Sequence, residues 1–286
     1  MSIKKLNDLY QKRVVAFSPF YSDACSNSLE NSMLKSILLL VFLALASISQ
    51  AYPSHSALPE NDLWMEDYFE KSNSGEEMFN RVIEAAEVVY KPIMEEFGDS
   101  SLTINRKWSD PTVNANATRF FGNVTINMFG GLFRRPETTV EGFTLVLCHE
   151  LNHAYGGLPY IRAWQKLSAE GQADYAGAKE CMHKVLAVLK LEYFEEEPTG
   201  FMEDTCASAF KTEERQKLCV RSLVGGQSLG TLLATIKEEA MPDYETPDPM
   251  VVEETLLSYP ATIQCRLDTY LRGTLQLDRP ACWFKD

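Results

Sequence analysis

The sequence predicts an α+β fold in which a helix, a small sheet and two further helices form a core, followed by a mostly helical C-terminal half. Three observations point to this class. A capping-box pattern opens a long amphipathic stretch near residue 74. Three short runs with the composition of strands follow it. Two largely apolar helical segments come next, and the remainder of the chain indicates further helices rather than strands.

The first helix and the sheet come from the region before residue 130. Ser74-Gly75-Glu76-Glu77 is a capping box that predicts an amphipathic helix through about Phe97. The predicted strands cover 101–108, 112–118 and 122–129. Since these runs are short and closely spaced, we expect a small sheet packed against the first helix.

The next predicted helix carries the most informative motif. Thr138-Thr139-Val140-Glu141 fits a capping box, apolar residues follow, and Gly156-Gly157 supplies a stop signal. A buried helix over about 139–155 is therefore expected. Within it, His149-Glu150-Leu151-Asn152-His153 has the pattern H-E-x-x-H. Its two histidines lie one turn apart on one helix face and can bind one metal ion. Glu150 then lies beside the ion, where a general base is needed.

A catalytic zinc site needs a third protein ligand and a position open to water. The metzincin pattern would place a histidine six residues after His153, but Pro159 occupies that position. Glu170 and Asp174 are four residues apart and share a helix face. We therefore predict Glu170 as the third ligand and Asp174 as the acceptor for the far nitrogen of a ligating histidine. Gly171 would let this helix approach the first closely. The alternative is an ordinary solvated acidic face at a helix N-terminus.

These residues resemble the gluzincin metallopeptidases, in which H-E-x-x-H is completed by a Glu in an E-x-x-x-D context. The segments 113–117, 122–128 and 130–133 are similar to the block before the active-site helix in peptidases of the CAAX prenyl protease and HtpX type. The similarity covers about residues 75–181. It implies a zincin-like core, one catalytic Zn²⁺ ion and a polypeptide substrate. The family's transmembrane helices and its longer loop before the Glu ligand are absent from the sequence, so we expect a soluble, exported relative.

The resemblance implies two further features of the site. A sheet edge beside the metal would bind an extended substrate by strand addition, and either 112–118 or 122–129 would form that edge. A hydrogen-bond donor would stabilise the tetrahedral intermediate. Tyr259-Pro260 and Arg266 resemble the family's C-terminal His-Pro…Arg segment, which makes Tyr259 and Arg266 candidate donors. Three other tyrosines are alternatives: Tyr155, Tyr160 and Tyr175.

The N-terminal segment has the features of a signal peptide. Ile37–Ala46 is a ten-residue apolar run with Lys35 before it, and Ser49-Gln50-Ala51 places small residues at the two positions that matter for cleavage. The run is short for a bilayer span. We expect residues 1–51 to be a leader, with Met33 as a possible true start. The mature protein would then be periplasmic or secreted and have no stable membrane anchor. A membrane anchor or a buried helix is the alternative.

The remaining chain is long enough for one sizeable core. We expect residues 52–195 to form the catalytic core and 196–286 to be a helical, disulfide-linked part of the same domain. The helix that carries Glu170 should run to about Leu191. Further helices are predicted near 203–222, 227–239 and 261–274. The formal net charge of −13 argues against nucleic acid or an anionic membrane as a partner.

Six cysteines follow the expected leader: Cys148, Cys181, Cys206, Cys219, Cys265 and Cys282. An even number of cysteines in an exported chain indicates disulfides. Short loops favour Cys206–Cys219 and Cys265–Cys282. Cys148–Cys181 would remain and would join the H-E-x-x-H helix to the Glu170 helix. Alternatively, Cys148 is a metal ligand or a redox switch, although adjacent helical residues point about 100° apart.

The predicted function is that of an exported zinc metallopeptidase. Glu150 would take a proton from water activated by Zn²⁺ and pass it to the leaving amine. A secreted binding or chaperone-like protein that keeps zinc as a structural element is one alternative, and it would need a fourth protein ligand. A zinc hydrolase that acts on a non-peptide bond is another, although a strand-binding edge favours peptides.

Overall fold

Helices and a small mixed sheet make up the computed structural model, which confirms the predicted α+β class. The structure describes residues 55–66, 73–260 and 262–286. They belong to one compact unit, Pro53–Asp286. The expected leader at 1–51 lies outside the described residues. None of the helices in the described ranges combines the length and apolar character that a membrane crossing requires.

The main sheet has four strands in the order β1-β3-β4-β2. Their bounds are β1 His55–Ser56, β2 Ser101–Lys107, β3 Ala115–Phe120 and β4 Asn123–Phe129. β3 and β4 are antiparallel, and the turn between them is Phe121-Gly122, where both residues have positive φ. β2 pairs with β4 in parallel, with Ile104 opposite Ile126. The three longer strands lie where the sequence predicts them, within three residues at each end.

The structure excludes one of the two strands predicted as the substrate-binding edge. β4 pairs with β3 on one side and with β2 on the other, so 122–129 is an interior strand. The sequence indicates the hairpin between β3 and β4 but not that β2 adds in parallel to the far side of β4. Of the two candidate strands, β3 has the more open side; β2 lies at the other edge of the sheet. The two residues of β1 pair with that side of β3, with Ser56 opposite Asn116, and the N–H of Ala57 donates to the backbone oxygen of Ala115.

The helices are α1 Asn73–Phe97, α2 Gly130–Arg134, α3 Val140–Tyr155, α4 Glu170–Ala176, α5 His183–Leu189, α6 Gly200–Ala209, α7 Glu213–Lys237 and α8 Ile263–Thr274. A π-helical segment, Gly177–Met182, joins α4 to α5. The sequence predicts one helix from Glu170 to about Leu191. In the structure, three helical segments follow one another there without a gap and end at Leu189. A small hairpin of β5 Tyr160–Arg162 and β6 Leu167–Ser168 lies between α3 and α4.

The bounds predicted for two C-terminal helices, 203–222 and 227–239, are wrong. The chain breaks at residues 210–212 instead, between α6 and α7, and α7 then continues through Gly225. A Cβ atom on Gly225 would lie 2.7 Å from the backbone oxygen of Glu141. This glycine therefore permits α7 to cross α3 closely and does not end the helix. The third prediction, 261–274, matches α8.

α3 is the central element of the core. Every one of its residues is buried, and it packs against β3, α1, α7 and the π-helical segment. Phe79, Phe133 and Phe143 contact one another near its first turns, with ring centroids 5.0–5.8 Å apart. Since α3 is enclosed on all sides, the side chains near its C-terminal end are held in fixed positions.

Three disulfides join the cysteines in the predicted pairs: Cys148–Cys181, Cys206–Cys219 and Cys265–Cys282. Cys148–Cys181 ties α3 to the π-helical segment, and Cys206–Cys219 ties α6 to α7. Because Cys148 is bonded to Cys181, it has no thiol to offer a metal, and the alternative of Cys148 as a ligand does not hold. Disulfides of this kind are typical of proteins in oxidising compartments, which is consistent with export.

Candidate metal centre

The two histidines of α3 point their ε nitrogens at the same place. His149 Nε2 and His153 Nε2 are 3.0 Å apart, and both side chains are fully buried. Glu170, the first residue of α4, places Oε2 at 3.3 Å from His149 Nε2 and at 3.6 Å from His153 Nε2. Two ligand atoms bound to one tetrahedral zinc ion are about 3.3 Å apart. The three residues therefore form a buried cluster that could hold a metal ion.

The ends of α3 fix the position of this cluster. Thr139 Oγ1 accepts a hydrogen bond of 3.0 Å from the N–H of Gly142 and caps the helix start. The capping box predicted from Thr138 is displaced by one residue: Thr139 is the N-cap, and the Glu141 carboxylate forms an ion pair with Arg221 of α7. At the other end, the N–H of Gly156 donates to the backbone oxygen of Asn152. The helix thus ends just after the second histidine.

The δ nitrogens of the two histidines have different partners. His149 Nδ1 lies 2.7 Å from Asp174 Oδ1, one turn along α4 from Glu170. His153 Nδ1 lies 3.0 Å from the backbone oxygen of Ser168, which the sequence does not indicate as part of the site. A carbonyl oxygen only accepts hydrogen bonds, so His153 carries its proton on Nδ1 and presents a lone pair at Nε2. The Asp174 carboxylate orients His149 in the same way.

Asp174 is itself held by α8. Arg266 donates two hydrogen bonds to its carboxylate, Nε to Oδ2 at 2.9 Å and Nη2 to Oδ1 at 2.8 Å. The Tyr270 hydroxyl adds a third, 3.0 Å from Oδ1. Burial alone would raise the pKa of Asp174, but Arg266 and His149 outweigh burial and hold that pKa below its ordinary value. Arg266 is one of the predicted transition-state donors. In the structure, two of its N–H groups hold the Asp174 carboxylate.

Glycine brings α3 and the Glu170 helix together, but at a different position from the predicted one. A Cβ atom on Gly171 would lie 2.4 Å from the indole of Trp283, so this glycine makes room for the C-terminal segment. The close approach to α3 occurs at Gly177, where a Cβ atom would lie 3.2 Å from the backbone nitrogen of His149. Gly177 and the nearby Cys148–Cys181 disulfide together set the spacing of the two helices.

Charge and burial, respectively, raise the pKa values of His149 and Glu150 above their ordinary range. Burial alone would lower the pKa of His149, but Asp174 and Glu170 outweigh it and raise that pKa to about 10. A metal ion that binds Nε2 would therefore displace a proton. Burial raises the pKa of Glu150 to about 8. Within the described residues, neither carboxylate oxygen of Glu150 has a hydrogen-bond partner. Buried polar groups seldom lack a partner, so this carboxylate fits a site that receives a ligand.

Tyr259 is the predicted donor whose hydroxyl lies beside the cluster. It donates to the backbone oxygen of Ser56. Burial raises the pKa of Tyr259, and the nearby carboxylates of Glu170 and Glu150 add to the shift, so the hydroxyl keeps its proton. The three tyrosines that the sequence offers as alternatives make other contacts or lie in other elements. Tyr175 donates to the backbone oxygen of Leu277, Tyr155 packs against Tyr90 and Phe97, and Tyr160 lies in β5.

Comparison of the chain with models of protein families, with curated proteins and with solved structures finds no match. The geometry of the candidate metal centre is therefore what indicates a function.

Proposed function

We propose that this protein is an exported zinc metallopeptidase of the gluzincin type, built on a zincin-like core. One observation carries the proposal: His149, His153 and Glu170 converge on one buried point, and next to His149 lies the buried Glu150, whose carboxylate has no hydrogen-bond partner among the described residues. Two imidazole nitrogens and one carboxylate are a donor set typical of catalytic zinc, and three protein ligands leave the fourth position for water or substrate.

Each neighbouring residue has a distinct role in this proposal. When bound, zinc supplies a Lewis acid that acidifies water and polarises a carbonyl oxygen. Glu150 takes a proton from water and passes it to the nitrogen of the leaving amine. Asp174 and the Ser168 carbonyl keep the two histidines oriented toward one point. The Tyr259 hydroxyl would donate to the oxygen that gains negative charge.

The sheet supports a peptide as the substrate. β3 lies against α3, and an extended chain would bind by backbone hydrogen bonds along the side of β3 that β1 partly covers. Three disulfides favour an oxidising compartment and hence export. A structural zinc site would need four protein ligands, but the cluster contains three residues in the part of the chain that the structure describes. A binding protein with structural zinc is thus less well supported.

The proposal is tested with Glu150→Gln. This variant should bind zinc with the wild-type stoichiometry and lose hydrolysis of an unfolded-protein or peptide library by about 10²–10⁴-fold, because it lacks the general base. The exposed Glu197→Gln serves as the matched control and should hydrolyse the library normally. Wild-type activity should disappear with a chelator and return with zinc. Unchanged hydrolysis in Glu150→Gln contradicts the mechanism.

A further inference from the structure

The chain's own segment His55–Leu58 lies along the open side of β3, next to the metal centre. β1 is antiparallel to β3, with His55 opposite Ala117 and Ser56 opposite Asn116. The N–H of Ala57 continues the ladder and donates to the backbone oxygen of Ala115 at 3.2 Å. The segment therefore adds a short strand to the sheet in the way that an extended peptide does.

The Asn114 side chain, just before β3, holds Leu58, the residue after Ala57. Asn114 Oδ1 accepts a hydrogen bond of 3.2 Å from the N–H of Leu58, and Asn114 Nδ2 donates one of 3.2 Å to the Leu58 oxygen. Ala57 and Leu58 are both fully buried. The backbone on the C-terminal side of Ser56 is thus fixed in register with the sheet.

Residues of the metal centre contact the segment on both sides of one peptide bond. The oxygen of Ser56 accepts a hydrogen bond from the Tyr259 hydroxyl. The oxygen of Ala57 accepts one of 3.1 Å from Arg266 Nη1. β1 also contacts α3, the helix that carries Glu150. The Ser56–Ala57 bond consequently has the candidate donor Tyr259 at its oxygen and lies against the helix of the candidate base Glu150.

We propose that the Ser56–Ala57 peptide bond is a substrate of this centre, so that the chain hydrolyses itself there. The inference rests on the proposed peptidase function. Glu150 takes one proton from water, and the water oxygen forms a bond to the carbonyl carbon of Ser56. The carbon–nitrogen bond to Ala57 breaks, and Glu150 returns the proton to the nitrogen of Ala57. The products are a carboxylate at Ser56 and a new α-amino group at Ala57.

The covalent link between this segment and the centre favours the reaction. A bond that is held in register by the same chain reacts without the entropic loss of bringing two molecules together. The hydrogen bonds with Asn114, Ala115 and Arg266 all involve the residues after the bond, which stay attached to the core. Self-hydrolysis should therefore be a first-order process whose rate does not depend on protein concentration.

The experiment uses the full chain, purified in the presence of a chelator and then supplied with zinc. Intact mass and N-terminal sequencing follow the Ser56–Ala57 bond with time. The wild type should yield a chain that begins at Ala57, at least about 100-fold faster than Glu150→Gln. The rate should stay constant on dilution. A tagged Glu150→Gln chain mixed with the wild type should remain uncut, because the reaction occurs within one molecule.

A second measurement does not depend on activity. In zinc-loaded Glu150→Gln, hydrogen exchange should be slow at the N–H groups of Ala57 and Leu58, because both donate to β3 or its neighbour Asn114. Asn114→Ala should speed exchange at Leu58 and, in an otherwise wild-type chain, slow the cut. Asn123→Ala, whose amide oxygen accepts a hydrogen bond from Ser101 at the far end of the sheet, is the matched control and should change neither.

The outcomes separate this inference from the proposed function. If the zinc-loaded wild type hydrolyses the peptide library in a Glu150-dependent manner but keeps the Ser56–Ala57 bond, self-hydrolysis is overturned and the peptidase function stands. If both substrates remain intact, both proposals fail. Cleavage at this bond in Glu150→Gln as well as in the wild type would assign the cut to another protease and overturn the inference. Rapid exchange at Ala57 and Leu58 would also overturn it.

Discussion

His149 and His153 lie one turn apart in α3, yet they are held by different means. His149 is oriented by the Asp174 side chain, which Arg266 and Tyr270 hold in turn. His153 is oriented by a backbone oxygen, that of Ser168. The residue before His149 also forms a disulfide to the π-helical segment. The geometry of His149 thus depends on several side chains that substitution can remove, whereas that of His153 depends on the course of the backbone.

The largest expected effect is that of Asp174→Ala. It leaves the Arg266 guanidinium buried without its carboxylate, so the free energy of unfolding should fall by about 3–5 kcal/mol. His149 also loses its orienting partner, and zinc affinity should fall by about 10–100-fold. Chemical unfolding and zinc titration measure the two effects. The exposed Asp204→Ala is the control and should change neither. An unaltered zinc affinity in Asp174→Ala would remove the difference between the two histidines.

Removal of disulfides should show whether the tie beside His149 matters to the metal. The Cys148→Ala/Cys181→Ala variant opens a link between residues 33 apart, and Cys206→Ala/Cys219→Ala opens one between residues 13 apart. Loop-closure entropy predicts a loss of about 3–4 kcal/mol for each. Only the first variant should also bind zinc more weakly, because it frees α3 from the helix that carries Glu170. Equal zinc affinities in the two variants would contradict this account.

The raised pKa of His149 predicts a pH dependence of metal binding. The imidazole holds a proton below a pH of about 10, and zinc must displace it, so the apparent affinity should fall as pH falls. The expected slope is about tenfold, or 1.4 kcal/mol, per pH unit for this one proton. Competition titrations against a chelator at several pH values measure the slope. Asp174→Asn removes the main charge that raises the pKa, and it should reduce the slope.

The smallest effect is expected for Ser168→Ala. The substitution removes the hydroxyl, which donates a 2.7 Å hydrogen bond to the backbone oxygen of Gly157, and should cost about 1 kcal/mol of stability. The backbone oxygen that orients His153 remains in place. Zinc affinity should therefore match that of the wild type. If it fell as far as in Asp174→Ala, the His153 side of the centre would depend on side chains after all.

Sequence spacing predicts the parts of this centre that lie on a single helix. His149 and His153, and likewise Glu170 and Asp174, are four residues apart, and the helical period converts that spacing into a shared face. The pairing of Arg266 with Asp174 spans 92 residues of sequence and has no local signal. Tyr270 follows Arg266 by four residues, so its place on the same face of α8 could have been inferred once Arg266 was located.

Other features depended on backbone packing that residue patterns do not contain. The Ser168 oxygen belongs to no side chain, so composition does not identify it. A glycine often marks the end of a helix, but Gly225 lies inside α7. There the Glu141 backbone of α3 passes so close that a side chain would not fit. The two-residue β1 has no alternating pattern of its own. Its partner on β3 and its contacts with Tyr259 became visible only in three dimensions.

The burial of Leu58 has a consequence for the resting state of the cleft along β3. Its side chain is fully buried, and its exposure to water would cost roughly 2 kcal/mol. At equilibrium, only a few per cent of molecules would then have this edge of the sheet open. A ligand that needs the same edge would bind with an apparent affinity reduced by that fraction. In the proposed peptidase, the rate of hydrolysis of outside polypeptides would accordingly depend on the opening of this segment as well as on the chemical step.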